Sequence, residues 1–190
     1  MSVNLAKGQK VDLTKNNPNL KRIRVCLGWD TGKYTGGEFD LDASVFLLNN
    51  AGKAQSEKDF IFYNNLKHES GAVIHSGDNR TGAGEGDDEM VTVEFTKVPP
   101  YVDKISFVIT IFDAEKRKQN FGMVSNSFTR VVDVDTNTEI LRYNLGEDFS
   151  VETAIVACEV YKHSNEWRFN AVGSGYQGGL ATLVKSFGLN

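Results

Sequence analysis

Apolar residues fall at every second position along several stretches of the chain. Ile23, Val25, Leu27 and Trp29 share one face of an extended segment, and Val91, Val93 and Phe95 share one face of another. The run from Ile105 to Phe112 is apolar almost throughout, which predicts a central strand covered on both sides. Further strands are expected at Val11 to Thr14, Ala43 to Leu48, Asp59 to Tyr63, Val73 to His75 and Phe128 to Val134. The last group is Glu139 to Leu145, Thr153 to Tyr161 and Trp167 to Val172. Turns rich in glycine, asparagine and aspartate separate them, as in Asn49-Asn50-Ala51-Gly52 and Asp135-Thr136-Asn137-Thr138. Helical pattern is scarce. Gly179 to Phe187, stopped by Gly188, reads as one short C-terminal helix, and Ala114 to Lys118 as a single turn. The expected fold is therefore mostly all-β, a two-sheet β-sandwich.

Arg24 to Asp30 (RVCLGWD) echoes Phe107 to Asp113 (FVITIFD): a strand, an aromatic residue, then an aspartate. The same offset relates Phe62-Tyr63-Asn64 to Arg142-Tyr143-Asn144. This internal repeat places Asp30 and Asp113 at equivalent strand ends.

Length and composition narrow the class. The 190 residues read as a single domain, 1–190, with 40% hydrophobic and 24% charged residues, an ordinary globular balance. The longest apolar run is too short to span a bilayer, and no signal peptide is predicted, so a cytoplasmic protein is expected. Cys26 and Cys158 both lie in apolar segments and read as small buried hydrophobes in a reducing compartment. The net charge of −4 is unevenly spread: residues 78–94 carry six acidic side chains and one arginine, and the rest of the chain is close to neutral. Local acidity of this kind points to a cation and away from nucleic acid as a partner.

The segment Gly77 to Glu89 (GDNRTGAGEGDDE) concentrates that acidity. Its four glycines let the backbone turn carbonyls inward, and Asp78, Asn79, Asp87, Asp88 and Glu89 add side-chain oxygens without histidine or cysteine. Calcium takes six to eight oxygen ligands; zinc and copper prefer nitrogen or sulfur, and magnesium keeps more water and ranks second. The alternative is a solvated acidic turn, in which adjacent like charges would repel unless something neutralises them. The spacing is not that of an EF-hand, because Arg80 follows Asp78 by two. Asp40 and Asp42, two apart, project to one side of a strand; they either share a cation or mark a sheet edge or turn. Asp30, which ends the preceding strand, is a further candidate, and Asp113 with Glu115 is read in the same two ways.

The acidic segment resembles the signature of the TerD family of tellurium-resistance and stress proteins. The resemblance continues through LGWD (Leu27 to Asp30), FDLDAS (Phe39 to Ser44), FIFYNN (Phe60 to Asn65), QNFG (Gln119 to Gly122) and AVGSGYQGGL (Ala171 to Leu180). It implies a β-sandwich with calcium, more than one ion, held by the acidic loop and nearby aspartates. The metal ligands it suggests are Asp30, Asp40, Asp42, Asp78, Asn79, Thr81, Asp87, Asp88, Glu89 and Asp113. Family members commonly carry an acidic residue where Ala83 stands and aspartate where Glu85 stands.

These observations lead to a non-enzymatic calcium-binding stress-response protein, in which calcium orders a surface for docking other proteins. Paralogues of the same family, near the inner membrane surface, are the expected partners. One rival reading is a calcium-dependent enzyme acting on phosphate or tellurium oxyanions, for which only His75 offers a general base. Another, from the resemblance alone, is small-ligand or cyclic-nucleotide binding. Gly173 to Gly178 matches G-x-G-x-x-G, but only twelve residues follow, too few for a dinucleotide-binding unit, so a tight strand-to-helix turn is expected there.

Overall fold

A computed structural model of the chain describes residues 2–31, 39–77, 87–145 and 149–190. Among them the chain forms strands β1 (Val3–Leu5), β2 (Lys10–Asp12), β3 (Arg22–Thr31), β4 (Leu41–Leu48), β5 (Phe60–Ile61) and β6 (Val73–His75). After these come β7 (Glu89–Glu94), β8 (Lys104–Ile111), β9 (Val124–Asp133), β10 (Thr138–Asn144), β11 (Ala154–His163) and β12 (Glu166–Tyr176). A single turn of helix, α1 (Ala114–Arg117), follows β8, and α2 (Gly179–Ser186) follows β12. The strands build two six-stranded sheets, β1-β10-β9-β3-β7-β6 and β2-β12-β11-β8-β4-β5, here called the first and second sheets. The predicted mostly-β sandwich is the fold observed.

The alternating pattern is what stacks the sheets. Ile23, Val25, Leu27 and Trp29 of β3 and Val91 and Val93 of β7 share one apolar core with Leu41, Ala43, Val45 and Leu47 of β4 and Ile105, Phe107 and Ile109 of β8. Strand β4 is buried at all eight positions. Its remaining side chains face the opposite way, and Phe46 and Leu48 join Val108, Val156, Leu183 and Leu189 in a second, smaller cluster beneath α2. The second sheet is thus covered on both faces, which is why β4 and β8 read as nearly continuous apolar runs.

The internal repeat has a structural counterpart. Strands β3 and β8 each stand fourth in their own sheet, and each is followed or ended by its aromatic-aspartate pair. Asp30 and Asp113 therefore end equivalent strands of different sheets.

Strand β1 was not among the expected strands, and two further elements differ from expectation. The strand predicted at Asp59 to Tyr63 shrinks to Phe60–Ile61, because Asp59 closes a capping box over the turn before it: its carboxylate accepts from the Gln55 and Ser56 amides. The motif Gly173 to Gly178 is not wholly a turn. Strand β12 runs on through Tyr176, and the β11–β12 register shifts between Val156 and Cys158, opposite Gly173.

Candidate metal centre

The three consecutive acids at the end of the acidic loop point in three directions: only Glu89 belongs to β7 and follows its pleat, while Asp87 and Asp88 precede the strand and are not bound by its alternation. Glu89 turns inward. It is 1% exposed, and its Oε2 accepts the amide of Ala43 on β4 at 2.6 Å, crossing from one sheet to the other. His75 of β6 joins it there, with Nε2 3.4 Å from the same oxygen and 3.1 Å from the Ala43 carbonyl. The other ring nitrogen, Nδ1, accepts the Gly77 amide at 3.0 Å. This pair fills a gap, since β5 pairs with β4 only at Val45 and Phe46 and leaves the edge at Ala43 uncovered.

Asp87 turns to the outer face of the first sheet. The Arg130 guanidinium grips it with two parallel bonds, Nε to Oδ1 at 2.7 Å and Nη2 to Oδ2 at 2.6 Å. Burial alone would raise the Asp87 carboxyl, but the hydrogen bonds from Arg130 and Cys26 outweigh it and hold the group below the usual range. Arg130 also reaches Glu139 at 3.2 Å. Cys26 beneath this pair is pushed up to about 12, by burial first and then by Asp87. Burial likewise raises Cys158, so both free thiols are poor nucleophiles.

Asp88 extends the strand ladder. Its amide donates to the Leu27 carbonyl at 2.8 Å, and its Oδ2 accepts the Trp29 amide at 2.8 Å, the next rung along β3. Its carboxyl is raised above the usual value, chiefly by burial; the Trp29 amide opposes this, and the negative charges of Asp30 and Asp87 add to it. Asp30 follows directly on β3, exposed, with its Oδ2 accepting from Asn126 at 2.6 Å. Asp88 and Asp30 are thus the two candidates that the described residues bring together at the loop's end.

Asp78, Asn79 and Thr81 are outside the described residues. The Asp40 carboxylate lies 4.0 Å from Arg117. Asp42, 8% exposed on β4, and Asp113, which precedes α1, line a separate cavity on the α2 side of the second sheet. Among the described residues no three histidine, cysteine, aspartate or glutamate side chains are grouped closely enough to hold a metal ion. Two partners went unforeseen in the sequence. The strand pattern at Phe128 to Val134 was enough to turn Arg130 outward from the core, but nothing local linked it to Asp87. Nothing in the sequence marked the Ala43 backbone as the partner of Glu89.

The oxygen chemistry at Asp88 and Asp30 fits a hard cation. Two carboxylates do not by themselves fill a calcium shell of six to eight oxygens.

The TerD domain profile matches residues 1–187 of the chain. General stress protein 16U of Bacillus subtilis is 64% identical over 190 residues, covering 100% of this chain and 98% of the relative. Tellurium resistance protein TerD of Serratia marcescens is 53% identical over 190 residues, covering 100% and 99%. In fold, the chain is similar to the crystal structure of a homologue of telluride resistance protein (TerD) from Streptomyces coelicolor. The TM-score is 0.72 at 19% identity, over 90% of this chain and all of that one. Among the described residues no helix is long and apolar enough to cross a membrane.

Proposed function

Because the chain belongs to the TerD family of tellurium-resistance and stress-response proteins, we propose that it works by binding calcium at the acidic loop, without catalysis, to order a surface for partner proteins. The observation that carries this is Asp88: a half-buried carboxylate fixed to the Trp29 amide while the charges of Asp30 and Asp87 bear on it. Asp88 and Asp30 would hold the ion together with Asp78, Asn79 and Thr81 of the loop. Calcium would supply the positive charge that lets these oxygens converge. Asp87 and Glu89 would serve as anchors, the first tied to Arg130 on the outer face and the second to Ala43 inside the sandwich. Partners, paralogues included, would then meet a loop held rigidly at its β7 end.

The absence of catalysis is supported by His75. This residue is 3% exposed and has both ring nitrogens engaged, so it is poorly placed to act as a base on an external substrate.

Calorimetric titration of metal-stripped protein with calcium, and separately with magnesium, tests the reading. Tight calcium uptake and weak magnesium uptake are expected. Asp78→Ala or Asp88→Ala should weaken calcium by at least about tenfold, or about 1.4 kcal/mol. Asp135→Ala, in the turn before β10 and paired with Arg22, should leave it unchanged. Equal losses in all three, or no uptake by the wild type, would remove the loop as the site.

A further inference from the structure

The cavity between the end of β8 and the start of α2 is unused by the calcium reading. It holds about 500 Å³, within the usual size of a small-ligand site. Among the described residues its lining carboxylates are Asp42, Asp113 and Glu115, and its lining cation is Lys116. Asp42 and Thr110 are register partners on β4 and β8, and both project away from the sandwich core. Thr110 is 3% exposed and lines the cavity floor. Tyr63 and Phe112, 41% and 43% exposed, complete the wall with aromatic faces.

We propose that this cavity binds an organic ammonium ion through Asp42, Asp113, Glu115 and Thr110, with Tyr63 and Phe112 beside its carbon chain. The lining presents acceptors and negative charge, and an alkylammonium presents three donors and no acceptor. Carboxylates spread around a cavity of this size, with no three grouped for a metal among the described residues, suit a cation with a carbon skeleton better than a bare ion. Aromatic faces favour organic cations in the same way. The chain's own cations already sit at the rim in this manner. Lys116 Nζ lies 3.8 Å from Asp113, and the Arg117 guanidinium stacks 5.5 Å over the Phe112 ring.

The first turn of α2 also lines the cavity through Gly179, Leu180 and Ala181, and the Gly179 amide donates to Thr153 Oγ1 at 3.0 Å. A ligand carrying a carboxylate as well as an ammonium could use that turn too. The source of the ammonium, a polyamine or a basic amino acid, is therefore left to the experiment.

The test is titration of the full chain, saturated with calcium, with spermidine and separately with lysine, at moderate salt. One saturable site is expected for at least one of them. Tighter binding of spermidine would assign a polyamine, and tighter binding of lysine a basic amino acid. Glu115→Gln, on an exposed position, and Thr110→Val should each weaken binding by about tenfold. Asp42→Asn is a third variant, read only if its melting temperature is retained. Binding that is unsaturable, that all these variants leave unchanged, or that further calcium displaces would overturn the proposal. The calcium site at Asp88 can stand or fall independently, because its own titration is read without amine.

Discussion

Glu89 shows how much a single carboxylate can hold in this fold. It accepts the Ala43 amide at 2.6 Å from the facing sheet, and His75 lies 3.4 Å from the same oxygen. Without it the Ala43 amide and the His75 ring lose a buried partner at an edge that β5 does not cover. A buried donor left unsatisfied costs about 1–3 kcal/mol, and more where a charged partner is removed. Glu89→Ala should therefore lower unfolding stability by about 3 kcal/mol. Glu89→Gln, whose amide oxygen can still accept from Ala43, should cost less than half of that. Urea unfolding measures both, with an unchanged denaturant slope marking a change in stability alone. Equal costs for the two variants would mean that the carboxylate's charge, and not its acceptor role, is what matters. The same residue shows why the site was only partly legible in sequence. Acidic density and glycine spacing marked Gly77 to Glu89 as a cation loop. The repulsion among Asp87, Asp88 and Glu89 looked like something a cation must relieve. In the structure Arg130 and the Ala43 amide each take one of the three, and both lie more than 40 residues from their carboxylate. Pairings at that separation leave no local periodicity.

Among elements, β12 carries the most instructive glycines. Gly173 has φ of +58°, and a Cβ built there would come within 2.1 Å of the Tyr143 hydroxyl. Gly179, just beyond the strand, has φ of +62° but open space around it. The two share a backbone conformation and differ in crowding. Gly179→Ala should cost about 1 kcal/mol, the conformational part alone. Gly173→Ala should cost about 2–4 kcal/mol, because the close contact adds to it. Adding Tyr143→Phe to Gly173→Ala should recover part of the difference, and a thermal-melt double-mutant cycle measures the coupling. Zero coupling would mean that Tyr143 simply moves aside. The G-x-G-x-x-G pattern thus reflects, in part, a strand passing close to a tyrosine. Strands with strong alternation, such as β3 and β7, and the continuous apolar run of β8 were readable in sequence. Strand β1 was not, because its three residues owe their place to parallel pairing with β10, well over a hundred residues away.

At the scale of the molecule, Asp88 couples the acidic loop to overall stability. Its carboxyl is raised above 3.8, by burial first and then by Asp30 and Asp87. A raised folded-state value means that the folded chain holds the proton more tightly than the unfolded one. Stability then falls as pH rises through the raised value, and the full cost is present at neutral pH. Asp87 works in the opposite sense: its depressed carboxyl contributes stability above 3.8 that is lost as pH falls through its folded value. A cation at Asp88 and Asp30 would remove the Asp88 cost at neutral pH and leave the Arg130 pair untouched. Metal-free Asp88→Asn should therefore be at least as stable as the metal-free wild type at pH 7, since the side-chain carbonyl of the introduced asparagine can still accept from Trp29. Wild type with calcium at a hundred times its dissociation constant should gain about 2.7 kcal/mol. The variant should gain little. In the wild type that gain should shrink as the pH is lowered toward 3.8, because protons compete for the same oxygens. Melting curves with and without calcium at pH 7 and pH 5 read all of these outcomes. If Asp88→Asn keeps the full calcium gain, the ion is held by other residues, and the raised Asp88 carboxyl reflects burial beside Trp29 alone.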